Sequence, residues 1–304
     1  MRPLGLALPI GRAIFQSQLP AIEQAIDAGF TGLWFRDLPG HELTDRDAGT
    51  GRDPFAYLGY CAARYPRLSE LGTAVIGAGF RPPMTTARGC VTLTELCGPR
   101  FILGIGASDK PAVGAAFGVT KAAKQELVHD FTWDLWNLLH GQASLPPGVG
   151  FAIPDGFAPP PILLASTNLD LWQSLAGIVQ GGMLWFQRPS QFVSLANSIR
   201  GLVPRATISM TINLWLDRDA ASMPRIIPGY RPCTLAVGEM NLPALFAAYL
   251  RLGLDRLLIH FPIPEGIGRQ LRLTAAAWAD VHPGVPPQEA AGTALGAQHG
   301  SGVT

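Results

Sequence analysis

Arg36-Asp37, His260 and two small turns, Gly104-Ile-Gly106-Ala107-Ser108-Asp109 and Ser166-Thr167-Asn168, are the residues whose types and spacing could do chemistry. An adjacent cation and anion can bind a substrate or a cofactor, or can be a structural ion pair closing a rim. A histidine can hold or release a proton near neutral pH; its plainer role is a hydrogen-bonded wall residue. Small residues with free backbone N–H groups can hold a phosphate or the edge of a ring, though caps and tight turns have the same composition. Gly104-Ile-Gly106 lacks the third glycine and the later acidic residue of a dinucleotide fingerprint. A Ser-His-Asp elbow, a metal triad and a phosphate-binding Lys loop are also missing.

These residues all fall at the ends of short apolar segments. Leu71 to Arg81 is β-branched and glycine-rich, Pro82-Pro83 opens an amphipathic helix that Gly98-Pro99 closes, and Phe101 to Gly106 is again extended: a parallel βαβ unit. Its small strand-end residues would let a flat ligand approach the backbone. The same alternation runs from end to end. Strands are expected at the N-terminus, Gly32–Leu38, Ile162–Thr167, Gly182–Phe186, Ala206–Leu216 and Arg256–Phe261. Between them lie helices, with Ser17, Asp53 and Asn241 as expected caps, and a Gly- and Ala-rich loop is expected from Ser108 to Thr120. Residues 217 to 240 break the pattern and read as an excursion after strand seven, over the barrel mouth. Eight strand–helix pairs are the count of an α/β (β/α)8 TIM barrel, expected over residues 1–281, with a disordered tail over 282–304. Active sites of that fold sit at the C-terminal strand ends, where the residues named above lie.

With 304 residues, 48% hydrophobic, 15% charged and a net charge of +1, the chain has material for a large core. It carries no electrostatic bias toward nucleic acid or anionic membrane. No apolar run reaches the roughly 20 residues of a membrane span, and the four cysteines form no Cys-x-x-Cys. Cys90 and Cys97, two turns apart, read as core packing, no metal site is expected, and a reducing cytoplasm is the expected compartment. Trp34, Trp185, Phe186 and Trp215 lie on strands as core or wall residues, one or two of which could bracket an aromatic ligand.

From Leu4 to about Ala279 the chain resembles the bacterial-luciferase-like flavin-dependent monooxygenases and oxidoreductases. The likeness is carried by Ala28-Gly-Phe-Thr-Gly-Leu-Trp34-Phe-Arg36-Asp37-Leu-Pro39, Asp53-Pro54-Phe-Ala-Tyr-Leu58, Leu71-Gly72-Thr73-Ala74, Arg81-Pro-Pro83 with Ala87, Arg100-Phe-Ile-Leu-Gly104-Ile-Gly106 and Ala116-Phe117-Gly118-Val119. The resemblance implies a non-proline cis peptide between Ala74 and Val75 against a flavin ring. It also implies flavin phosphate contacts on the turn Gly106-Ala107-Ser108 and on Ser166 and Thr167. By the same likeness the cofactor is FMN, reduced by a separate flavin reductase and used with dioxygen on a small organic substrate in a water-poor pocket, by a homodimer. Arg36, Asp37 and His260 are the catalytic candidates. Two departures matter: Leu38 stands where many members have a histidine, and Ala107 where many have an arginine, a charge-assisted phosphate bond that Lys110, Arg81 or Arg188 would have to replace. The alternatives are a deazaflavin-dependent hydride-transfer enzyme and a non-catalytic flavin-binding or scaffold barrel. Substrate choice lies in the loops at residues 38–52, 141–161 and 217–240.

Overall fold

A computed structural model describes residues 2–9, 14–40, 51–107, 111–120, 124–227, 234–262 and 265–281. The expected tail lies outside them, as do Ser108 and Lys110. Eight parallel strands close on one another: β1 (Leu4–Leu8), β2 (Gly32–Phe35), β3 (Glu70–Thr73), β5 (Phe101–Gly106), β6 (Ile162–Ala165), β7 (Gly181–Trp185), β8 (Thr207–Leu216) and β11 (Arg256–His260). Closure is made by β11, which pairs with β1 through Leu257 opposite Leu4 and with β8 through Arg256 opposite Ser209. A two-residue strand, β4 (Ile76–Gly77), continues β3 past a cis peptide between Ala74 and Val75 and pairs with β5. The expected single strand from Leu71 is therefore interrupted at Ala74 and Val75.

The helices ring this barrel and bury one apolar stripe each. In α1 (Phe15–Ala28) the helix begins two residues before the expected cap, and Ser17 instead donates its hydroxyl to the Ile14 carbonyl at 2.7 Å. Burial of Phe15 and Ile22 outweighs the loss of an amide at Pro20, which lies inside the helix. Asp53 does cap α2 (Pro54–Arg64), accepting from the Phe55 and Ala56 amides at 2.8 and 3.4 Å. The long crossovers are α3 (Pro83–Cys97), α5 (Lys124–Leu139), α7 (Pro189–Leu202), α8 (Leu242–Arg251) and α9 (Ile267–Asp280); α6 (Leu169–Ser174) is shorter. None of the helices in the described residues is long and apolar enough to cross a membrane.

Two regions differ from the sequence expectation. The segment read as a loop carries α4 (Pro111–Ala116), where Pro111 at the first position and three alanines support a short helix that stops before Gly118 at φ 75°. The excursion after the seventh barrel strand extends the sheet. β8 is ten residues long, and its upper half pairs in parallel with β10 (Thr234–Val237), which pairs antiparallel with β9 (Arg225–Ile227). Asn241 does not cap α8 with its side chain; its amide donates to the Ala221 and Ser222 carbonyls and ties the excursion to that helix.

Inside the barrel the residues alternate with a period of two, so each inward position defines a layer. The lowest layer holds Glu70 and Arg256, joined by hydrogen bonds of 2.6 and 2.8 Å, with Arg256 also donating to Ser209. Above them Trp34 packs with Ile102, Leu163, Met183 and Leu258. The indole occupies the space that glycines leave. A β-carbon on Gly5 would come within 2.6 Å of Trp34 Cδ1, and one on Gly72 would strike the same ring. These glycines thus serve a protein side chain, not an approaching flat ligand.

Candidate active site

Two residues above Trp34 on the same strand direction comes Arg36, and the corresponding inward positions on the other strands are Ala74, Gly104, Ala165, Trp185, Asn213 and His260. One wall of this layer is small and the opposite wall is large and polar. Over the small wall opens a cavity of about 300 Å³, bordered by Ala74, Val75, Ala107, Ala165, Met183 and Trp185, with Ser166, Thr167, Gln187, Gln125 and Thr211 as its polar lining. A smaller annex of about 40 Å³ shares Ala74, Val75, Ala107 and Trp185 and is otherwise bordered by Arg36, Asp37, Leu38, Gly77 and Phe80.

Of the expected cofactor contacts, Ala74, Val75, Ala107, Ser166 and Thr167 come together around the larger cavity. Gly106 lies behind them: a β-carbon on it would be 2.9 Å from Ala165 Cβ and 3.1 Å from Val75 Cγ2, so its smallness lets those two side chains take their places. Ser108 falls outside the described residues. Ser166 is held on two sides, its hydroxyl oxygen accepting from the Asn168 amide at 3.1 Å and its carbonyl accepting from Trp172 Nε1 at 2.9 Å. The hydroxyl hydrogen remains available to donate.

The amides after strand β6 are less available than the sequence suggested. Asn168 Oδ1 accepts from the Asp170 and Leu171 amides, and Asp170 puts a negative charge in the first turn of α6. An anion there would meet a satisfied, acidic helix end, which leaves the Ser166 and Thr167 hydroxyls, not the α6 amides, as the donors on offer. The basic side chains proposed to replace the missing arginine also separate. Arg81 is committed to Asp37 and Asp53, at 3.2 Å each, with its guanidinium 5.2 Å above the Phe55 ring. Arg188, next to Gln187 on the rim, is exposed and forms no ion pair among the described residues. Gln187 itself is positioned by Tyr249, whose hydroxyl donates to its carbonyl at 2.5 Å.

The three catalytic candidates occupy different settings. Arg36 is buried at the annex with its guanidinium 5.6 Å from the Trp185 ring centroid, a cation–π arrangement. Asp37 pairs with Arg81, not with its neighbour Arg36. Only 5% of Asp37 is exposed and its Oδ2 has no hydrogen-bond partner, an uncommon condition for a buried carboxyl. Burial pushes the carboxyl above its ordinary range, and the Arg81 charge and the Gly77 amide act in the opposite direction. His260 is buried between Asn213 Oδ1 at 2.9 Å from Nδ1 and the Pro9 carbonyl at 3.1 Å from Nε2, and it borders neither cavity. Asn213 and Pro9 hold it in the wall between β8 and the end of β1.

Met183, Thr211 and Gln125 were not anticipated as lining residues. The first two follow from strand parity, since Met183 is two residues before Trp185 and Thr211 two before Asn213. Gln125 comes from the start of α5, and no local pattern marks it. Cys61, Cys90 and Cys97 are buried free thiols, and burial raises Cys61 to about 12 and Cys97 above its ordinary value. Such thiols are poor nucleophiles. No cluster of three or more His, Cys, Asp or Glu side chains placed to hold a metal occurs among the described residues.

The profile of the luciferase-like monooxygenases matches residues 11–218. Among solved structures, an F420-dependent secondary alcohol dehydrogenase in complex with an F420-acetone adduct superposes with a TM-score of 0.74 at 12% identity, over 92% of this chain and 99% of that one. Monooxygenase RslO1 from Streptomyces bottropensis gives 0.71 at 16% identity, over 91% and 99%. The EDTA monooxygenase from Chelativorans sp. BNC1 gives 0.68 at 10% identity, over 92% and 94%. At these identities the likeness speaks to the fold alone. No curated protein matches the sequence.

Proposed function

This chain belongs to the luciferase-like monooxygenase family, and on that premise we propose that it is a flavin-dependent oxidoreductase of monooxygenase type, acting with reduced FMN and dioxygen on a small organic substrate. The observation that carries the proposal is the 300 Å³ cavity bordered by Ala74, Val75, Ala107 and Ala165, with Ser166 and Thr167 in its polar lining. Its volume is at the lower end of the range for small-molecule sites, and its mixed apolar and polar lining suits a ring system with a polar tail. FMN, when bound and reduced, supplies the electrons for activating dioxygen.

The chain's own residues bind, orient and exclude water. Ala74, Val75, Ala107, Ala165 and Met183 present an apolar face to the ring, and Trp185 beside them helps to exclude water. Ser166 and Thr167 donate to the phosphate, with Arg188 as the cation that replaces the arginine missing at Ala107. Asp37, paired with Arg81 at 3.2 Å, borders the annex as the carboxyl nearest the ring. A separate reductase delivers the reduced cofactor, the chain works as a homodimer, and its compartment is the cytoplasm.

A second reading, the deazaflavin-dependent one, is favoured by an open groove of about 510 Å³ that begins at Thr167 and Gln187. It follows Ser190, Gln191, Ser194 and Ser198 along α7, where a longer polar tail could lie. Spectral titration with FMN and with deazaflavin, each oxidised and reduced, decides between them. Tight binding of reduced FMN with weak binding of deazaflavin supports the first reading, and the reverse supports the second. If neither binds, both fail.

A further inference from the structure

The larger cavity has one polar group that a phosphate near its surface does not engage. Of its polar lining, Gln125 and Thr167 are exposed and Ser166 and Gln187 half-buried, so these stand within reach of solvent. Thr211 is different, with only 2% of it exposed. In register it stands between Trp185 of β7 and Leu258 of β11, neither of which is paired with its side chain. Among the described residues the Thr211 hydroxyl makes no hydrogen bond. The hydroxyls of Thr234 and Thr274 also lack a partner but are sealed from any probe, whereas the Thr211 oxygen keeps accessible surface, and the wall that Thr211 forms is the wall of this cavity.

A hydroxyl can both donate and accept, and a ligand that fills the cavity displaces the water around it. An apolar atom set against Thr211 leaves a desolvated hydroxyl unpaired, while a polar atom satisfies it. A phosphate, strongly hydrated, belongs with the exposed part of the lining, so the ring is what reaches the buried part. Of the edges of a flavin ring, the dimethylbenzene edge has no hydrogen-bonding atom. The pyrimidine edge has carbonyl oxygens with an N–H between them.

We propose, on the oxidoreductase reading above, that Thr211 orients the cofactor: its hydroxyl donates to a carbonyl oxygen of the flavin's pyrimidine edge and turns that edge toward the barrel interior. Reduction of the ring places more negative charge on those oxygens, and a fixed donor favours the more charged acceptor. Thr211 therefore holds reduced FMN more strongly than oxidised FMN.

Anaerobic titration with oxidised and with dithionite-reduced FMN tests this in the wild type, in Thr211→Val, which keeps the shape without the hydroxyl, and in Thr211→Ser, which keeps the hydroxyl. Thr211→Val binds reduced FMN at least about tenfold more weakly and oxidised FMN less than about threefold more weakly, and Thr211→Ser stays within about threefold of the wild type for both. A residue that only shapes the wall would move both forms alike. The wild type is also titrated with 2-thio-FMN and 4-thio-FMN, in each of which sulfur, a weaker acceptor, replaces one ring carbonyl oxygen; one of the two binds at least about threefold more weakly than FMN. This last comparison decides if a variant does not fold. Unchanged or equal losses for the two forms in Thr211→Val, the same loss in Thr211→Ser, or thio analogues that both match FMN each overturn the proposal. If the wild type binds FMN and any of these is seen, the role of Thr211 falls alone; if it binds neither form, the function proposed above falls and this role with it.

Discussion

The floor and the mouth of this barrel are built on the same strands, two residues apart, and solve opposite problems. At the floor Gly5 and Gly72 stand back so that Trp34 can fill the interior, and the Glu70–Arg256 pair closes the space beneath. At the mouth Ala74 and Ala165 stand where an indole could have been, nothing large replaces them on that wall, and a cavity remains. Small residues therefore have no single meaning in such a fold. They mark either a place that a protein side chain occupies or a place left for something else, and only the partner across the barrel tells which.

The comparison can be broken most strongly from below. Glu70→Ala leaves the Arg256 guanidinium buried without its carboxylate, and a loss of about 3–5 kcal/mol in denaturant unfolding is expected. The cavity lining is unaltered, so the folded fraction titrates with flavin as before. A loss under about 1 kcal/mol would mean the pair does not hold the floor together. From above, Ala107→Phe places a ring in the open mouth. Stability stays within about 1 kcal/mol, because the residue is only partly buried and has space to enter, while flavin affinity falls at least about tenfold. An unchanged affinity would remove the cavity from consideration as the cofactor site.

The smallest effect concerns Asp37. Its carboxyl is raised above 3.8 in the folded protein, so the native state takes up the proton before the unfolded chain does. Relative to Asp37→Asn, the wild type gains stability as the pH falls through the folded value, keeps the gain below 3.8, and loses it as the pH rises again. Thermal melts of both proteins between pH 3 and 7 read this difference; the opposite slope would mean that the Arg81 charge outweighs burial.

Much of the fold was legible because its signals are local. Apolar strands separated by amphipathic helices give the eight-fold alternation, and Asp53-Pro54 states a helix start in two residues. The expected cap at Ser17 failed because burial of Phe15 drew the helix two residues earlier, and α4 was missed because alanine and glycine together read as loop. Strand ends placed Ala74, Val75, Ala107, Ser166 and Thr167 correctly at one end of the barrel, since every parallel strand puts its last residues on the same side. They did not show that Gly106 serves Ala165 and Val75, that Asn168 satisfies the α6 amides, or that Asp37 pairs with Arg81, 44 positions along the chain.

What the order of amino acids determined by itself was the barrel and the gathering of Ala74, Val75, Ala107, Ser166 and Thr167 at one end of it, because periodicity and strand direction depend only on near neighbours. Which glycines are filled, which cation faces which carboxylate and where an unpartnered oxygen is left were decided by tertiary packing. Those depend on distances across a closed ring of strands, which no spacing along the chain encodes.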